Sequence, residues 1–144
     1  MHESTFKYTL AQLSAIVAQV SVLLSNKHIV ALGGPLGAGK TTLVKELLRF
    51  YGVTEDVVSP TFNYVNSYTN QQGKKFFHFD LYRIPSTQNF LAAGFDEYLH
   101  IPNSMVIIEW PEIIEPLLKE NAVWLMLDYL DAEHRSLIVQ ETAP

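Results

Sequence analysis

The stretch from His28 to Phe50 constrains the fold more than any other. His28-Ile29-Val30-Ala31-Leu32 is a short apolar run that reads as a buried strand. Gly34-Pro35-Leu36-Gly37-Ala38-Gly39-Lys40-Thr41 follows and fits G-x-x-x-x-G-K-[ST] at every fixed position. Thr42 to Phe50 then places Leu43, Leu47 and Leu48 on helical spacing. Strand, glycine loop and helix in this order commit the chain to an α/β arrangement around a parallel pairing.

The residue types in the loop suit a polyphosphate. Glycines let backbone N–H groups turn inward with no Cβ in the way. The helix that opens at Gly39-Lys40 adds the positive end of its dipole. Lys40 is placed to reach β- and γ-phosphate oxygens, and the Thr41 hydroxyl to take one position on Mg²⁺.

The rest of the chain supports a globular reading. It has 144 residues, enough for one domain with a sizeable core, and is 48% hydrophobic and 17% charged. It contains no cysteine, which excludes disulfides and thiolate metal sites and is compatible with a reducing compartment. Met1-His2-Glu3-Ser4 lacks the layout of a secretory signal. The longest apolar stretch, Leu10 to Leu24, is broken by Gln12, Ser14, Gln19 and Ser21 and is too short and polar to span a membrane. A cytoplasmic protein is the expectation. The net charge of −5 argues against a broad basic surface for nucleic acid, so any RNA contact needs a local patch or a partner. Lys74-Lys75 reads as a solvated hairpin end.

Leu10, Leu13, Ile16, Val17, Val20 and Leu24 predict one amphipathic helix over 10–24, with Thr9 as its N-cap. Gly52 is expected to close the helix that follows the loop. Thr61 to Tyr68 and Lys75 to Tyr82, joined by Asn70-Gln71-Gln72-Gly73, predict an antiparallel hairpin. Residues 86–100 read as broken helix interrupted by Gly94. Met105-Val106-Ile107-Ile108 reads as a central strand, and Pro111 as the start of a short helix. Val123 to Tyr129 and Ser136 to Gln140 predict two final strands around Asp131-Ala132-Glu133-His134. The expectation is a three-layer P-loop-type α/β fold over residues 1–144, with a mixed sheet, a parallel centre and antiparallel additions.

Ligands in such sheets bind beyond the carboxyl ends of the strands. Asp80 and Glu109 both end apolar runs, so each is either a partner of the loop or a solvated strand end. Met105-Val106-Ile107-Ile108-Glu109 has the apolar-then-acid form that accompanies a phosphate loop; Phe76-Phe77-His78-Phe79-Asp80 fits it less cleanly. Ser59-Pro60-Thr61-Phe62 is either a switch segment that contacts Mg²⁺ or the γ-phosphate through Thr61, or a plain Ser-Pro turn. Arg83 and Arg135 are either charge-neutralising arginines or surface ion pairs. His78 reads as packed within a strand rather than as a base. Trp110 stacks on a base or belongs to the core.

Gly34 to Thr42, Ser59-Pro60-Thr61-Phe62, His78-Phe79-Asp80-Leu81-Tyr82-Arg83 and Ile108-Glu109-Trp110-Pro111 occur in this order. Together they resemble the small bacterial ATPase of threonylcarbamoyladenosine tRNA modification over nearly the whole chain. The resemblance implies Mg²⁺-dependent ATP hydrolysis supporting modification of adenosine 37 in tRNA. It also implies two larger partner proteins, a transferase and its paralogous scaffold, with tRNA engaged indirectly. It implies that Lys40 and Thr41 hold phosphates and Mg²⁺, that Glu109 binds Mg²⁺, that Asp80 is the catalytic aspartate and that Thr61 is the switch threonine. Gly34, Leu36, Gly37, Ala38, Gly39, Thr42, Thr9, Trp110, Glu112 and Arg135 are the further nucleotide-contact candidates. The competing readings are a small-molecule kinase, for which an arginine-bearing lid is missing, a GTPase-like switch, for which no Asn-Lys-x-Asp segment is present, and a nucleotide sensor without hydrolysis.

Overall fold

The computed structural model describes residues 3–60, 62–118 and 122–141. Seven strands form one sheet: β1 (Glu3–Thr9), β2 (Ile29–Gly33), β3 (Val65–Thr69), β4 (Lys75–Asp80), β5 (Ser104–Glu109), β6 (Ala122–Tyr129) and β7 (His134–Gln140). Their spatial order is β1-β7-β6-β2-β5-β4-β3. The neighbours β6, β2, β5 and β4 run parallel. The outer pairings, β3 on β4, β7 on β6 and β1 on β7, are antiparallel. The mixed sheet with a parallel centre expected from the sequence is the observed architecture.

The centre is parallel because its strands are apolar on both faces. β2 and β5 are buried at every position, which only helices on both sides of a sheet can satisfy. On one side lie α1 (Leu13–Leu23) and α2 (Lys40–Phe50), packed through Leu13, Ile16, Val17, Val20, Leu43, Val44, Leu47 and Leu48. On the other lie α3 (Thr87–Ala92), the 3-10 segment Phe95–His100 and α4 (Glu115–Leu118), closing over Phe77, Phe79, Val106, Ile108 and Trp124. Gly52 closes α2 as expected, with its N–H on the Arg49 carbonyl and the Val53 N–H on that of Leu48, each at 3.0 Å.

Three expectations need correction, and one strand was not foreseen. The helix over 10–24 begins as a 3-10 turn, Leu10–Gln12, and becomes α-helical only at Leu13. Leu10 is 73% exposed, because it rims a cleft and does not join the buried face. Thr9 does precede this turn, and its N–H donates to the Gln12 side chain at 2.9 Å. The strand expected from Thr61 starts only at Val65, since Phe62 is 88% exposed and Tyr64 turns into the left-handed region at φ 63°. Lys74 is not simply solvated: its ammonium lies 5.7 Å from the rings of both Tyr51 and Phe76. Finally, β1 has no counterpart in the sequence reading. Its Glu-Ser-Thr-Phe-Lys-Tyr-Thr composition buries only Tyr8, and it is held as an edge by antiparallel pairing along β7. Among the described residues, no helix is long and apolar enough to cross a membrane.

Candidate nucleotide site at the carboxyl ends of the central strands

The loop after β2 is fixed by close backbone approach. A Cβ on Gly34, at φ 137°, would fall 2.4 Å from the Leu127 carbonyl oxygen. A Cβ on Gly37, at φ 78°, would fall 2.5 Å from the Tyr129 hydroxyl. These two glycines let the loop lie directly against β6. The Tyr129 hydroxyl donates to the Leu36 carbonyl at 2.6 Å and anchors the middle of the loop. Ala38 is fully buried beneath it, whereas the Leu36 side chain stands 63% exposed at its rim.

Lys40 is the first residue of α2 and is 5% exposed. Its ammonium donates to the Gly34 carbonyl at 2.6 Å and sits 3.5 Å above the centre of the Trp110 ring. Burial pulls the Lys40 pKa below the ordinary lysine value, while the charges of Glu109, Glu112 and Asp80 oppose that shift. Trp110 reaches this place from a left-handed backbone at φ 58°, just before the 3-10 turn Pro111–Ile114. Such a conformation costs a non-glycine residue on the order of 1 kcal/mol or more. Glu112 lies on the same side, its Oε1 within 3.5 Å of where a Cβ on Gly33 would be.

Pairing register brings the carboxylates together. Asp80 at the end of β4 sits opposite Glu109 at the end of β5, and Leu32, the penultimate residue of β2, faces Glu109 from the other side. Both Glu109 carboxylate oxygens lie 3.4 Å from the Thr41 hydroxyl, and the Ser59 hydroxyl lies 3.3 Å from it. Neither carboxylate is a solvated strand end: Glu109 is buried at 3% exposure and Asp80 is half-buried. Burial raises the Asp80 pKa; the Tyr82 N–H, donated to Oδ1 at 3.0 Å, pulls it back, and the Glu109 charge pushes it up again. These are hard oxygen donors converging beside a phosphate-type loop. Such a set fits Mg²⁺, which is held through one or two carboxylates plus substrate phosphates, and does not fit a soft-ligand metal.

Beside the loop a cleft of about 560 Å³ opens between the end of β1 and the β6–β7 turn. Thr9, Gly37, Ala38, Gly39, Thr42 and Arg135 all line it. Trp110 and Glu112 do not; they flank Lys40 instead. Arg135 stacks its guanidinium 4.9 Å from the Tyr129 ring centre and donates to the Asp131 and His134 carbonyls at 3.1 Å. Arg83 lies with Pro60, Tyr64, Asp80 and Tyr82 around a smaller cavity of about 140 Å³. Among the described residues neither arginine forms an ion pair with a carboxylate. Thr61 lies outside the described residues.

Sequence reasoning placed His78 in the core but missed its partner. His78 is fully buried, and its Nε2 lies 2.6 Å from Glu109 Oε2. The only signal was positional: His78 precedes Asp80 by two residues, so the two share a face of β4.

A glycine loop at the end of the central strand of a mixed sheet, with helices on both sides, defines an α/β protein of the P-loop type. The profile of the family described as threonylcarbamoyl adenosine biosynthesis protein TsaE matches residues 8–137, and the chain belongs to that family. A Rickettsia conorii relative described as tRNA threonylcarbamoyladenosine biosynthesis protein TsaE is 34% identical over 94% of this chain and 74% of its own length. A Haemophilus influenzae relative of the same description is 39% identical over 78% of this chain and 70% of its own. A crystal structure of YdiB from Bacillus subtilis superposes with a TM-score of 0.73 over 96% of this chain and 84% of that one; at 23% identity it speaks for the fold alone.

Proposed function

We propose that this protein binds ATP with Mg²⁺ and hydrolyses it in support of threonylcarbamoyl modification of adenosine 37 in tRNA. It does so in the cytoplasm together with two larger proteins, a transferase and its paralogous scaffold, and meets tRNA only through them. The observation that carries this reading is the convergence of Lys40, Thr41, Asp80 and Glu109 at one end of β2, β4 and β5. The family membership and the names of its relatives supply the biological setting.

The residues divide the work by position. The loop amides from Gly34 to Gly39 and the amino end of α2 receive the phosphates. Lys40 exchanges the Gly34 carbonyl for phosphate oxygens, a stronger partner for an ammonium. Thr41 and Glu109 hold Mg²⁺, which neutralises charge developing on the phosphate oxygens when bound. Asp80 orients the attacking water, and Thr61 closes the switch segment over the γ-phosphate. The cleft lined by Thr9, Thr42 and Arg135 takes the nucleoside end, with Leu36 at the loop rim and Trp110 and Glu112 beside Lys40. Catalysis of this kind is positioning and electrostatics, so turnover by the isolated chain is slow and rises with the partners.

The test is phosphate release from ATP and GTP, by the chain alone and with its two partners. The reading predicts ATP preference and stimulation by the partners. It also predicts loss of turnover with retained nucleotide binding in Asp80→Ala. Normal hydrolysis by that variant in the presence of the partners would overturn the role of Asp80.

A further inference from the structure

We propose that His78 is a positioning residue that fixes the carboxylate of Glu109 for its cation. This rests on the reading of Glu109 as an Mg²⁺ ligand. Alternation along β4 sends Phe77 and Phe79 to the side of α3, and Phe76, His78 and Asp80 to the side of α2. On β5 the same alternation sends Met105, Ile107 and Glu109 to the α2 side. His78 stands between Phe76 and Asp80 in this row, with Ile107 on β5 and the part-buried Asn66 on β3 opposite it by register; Phe76, Met105 and Ile107 are its buried apolar neighbours.

An imidazole in that row is expensive. His78 has no exposed surface, and its Nδ1 has no hydrogen-bond partner among the described residues. An aliphatic side chain would fill the place without an orphaned polar atom. What the imidazole alone supplies is the Nε2 contact to Glu109 Oε2 at 2.6 Å. A carboxylate oxygen only accepts, so in this contact Nε2 is the donor.

The consequence is geometric. A glutamate side chain ends in two rotatable bonds that a strand terminus does not hold. Nε2 captures Oε2 from below, and the carboxylate is left with both oxygens 3.4 Å from the Thr41 hydroxyl. One lone pair of Oε2 is committed to the histidine, and among the described residues Oε1 has the Thr41 hydroxyl alone as hydrogen-bond partner. A buried donor behind a ligating carboxylate sets its orientation, and loss of such a partner lowers metal affinity by about 10- to 100-fold.

Mn²⁺ is the probe, titrated into the full chain with saturating ADP and read by electron paramagnetic resonance. ADP affinity in the presence of a chelator is measured in parallel. His78→Leu is expected to weaken Mn²⁺ binding by about tenfold or more while leaving chelator-condition ADP affinity unchanged. His78→Gln places an amide N–H where Nε2 stood and is expected to restore near-native Mn²⁺ binding. His78→Asn reaches only the Nδ1 position and is expected to behave like the leucine variant. Native Mn²⁺ affinity in His78→Leu overturns the proposal, as does equal behaviour of the glutamine and asparagine variants. If His78→Leu fails to fold, the glutamine and asparagine pair decides. Glu109→Ala separates the two levels. If it retains native Mn²⁺ affinity, the metal reading of Glu109 is wrong and this proposal falls with it. If Glu109→Ala loses affinity while His78→Leu does not, only the role of His78 is wrong.

Discussion

The two faces of β4 divide the six residues of one strand, three to a side, and have little in common. Toward α3, Phe77 meets Tyr98 with ring centres 4.9 Å apart, and Phe79 meets Phe90, Phe95 and Tyr98 at 5.8, 5.4 and 5.4 Å. That face is an aromatic wall without a buried charge among the described residues. Toward α2, the row begins with Phe76 and ends with His78 and Asp80, against Glu109 and the buried Lys40. One face supplies packing free energy; the other spends some of it on buried polar groups. The wall holds the strand that presents the polar row, so the rigidity required of a site comes from residues that never touch it.

Breaking the wall should cost most. Phe79→Ala is expected to destabilise the fold by about 3–5 kcal/mol, read by denaturant unfolding. Nucleotide affinity of the fraction that remains folded should be preserved. If affinity collapses at unchanged stability, the division between the faces is wrong.

Lys40→Ala attacks the polar side. Loss of a charged hydrogen-bond donor to phosphate corresponds to about 1.5–3 kcal/mol, so ADP affinity should fall by roughly ten- to a hundredfold. Stability should change little or rise, because burial already disfavours this ammonium and pulls its pKa down. A strongly destabilised variant would show that Lys40 serves the fold first.

Tyr129→Phe removes the hydroxyl that holds the Leu36 carbonyl at 2.6 Å. The expected loss is about 1 kcal/mol, in nucleotide affinity more than in melting temperature, since the bond orders the loop and not the core. An unchanged affinity would mean that the glycine loop is held by its backbone contacts alone.

Asp80 gives the smallest effect, as a sign. Its pKa is raised in the folded state by burial, so the folded chain holds this proton more tightly than the unfolded one. That contribution is fully present below the ordinary aspartate pKa and is lost as pH rises through the folded value. Asp80→Asn should therefore melt above the native protein at neutral pH. The gap should close as pH drops into the ordinary aspartate range. A gap that widens toward low pH would contradict the assigned direction.

The sequence made some of this legible and hid the rest for physical reasons. The loop, β2 and α2 were readable because a short apolar run, obligatory glycines and helical spacing each leave a local mark. Asp80 and Glu109 were readable as strand ends, but not as neighbours, because the register of β4 on β5 is set by tertiary pairing. For the same reason His78 looked like a core residue with no role. β1 escaped because an edge strand buried on one side needs little hydrophobicity. The late start of β3 escaped because Phe62, a strand-favouring residue, is left exposed and Tyr64 takes a left-handed backbone. The split of the nucleotide candidates into a cleft group around Thr9 and Arg135 and a group around Trp110 and Glu112 depends on where the loop lies, which only the packing of Gly34 and Gly37 on β6 defines.

The most direct test of the central claim is calorimetric titration of the purified chain with ATP and ADP, with and without Mg²⁺. The account predicts saturable uptake at one site, tighter with Mg²⁺ in a manner that depends on Glu109, and weakened by roughly ten- to a hundredfold in Lys40→Ala. No uptake of either nucleotide, with or without the divalent cation, would contradict it.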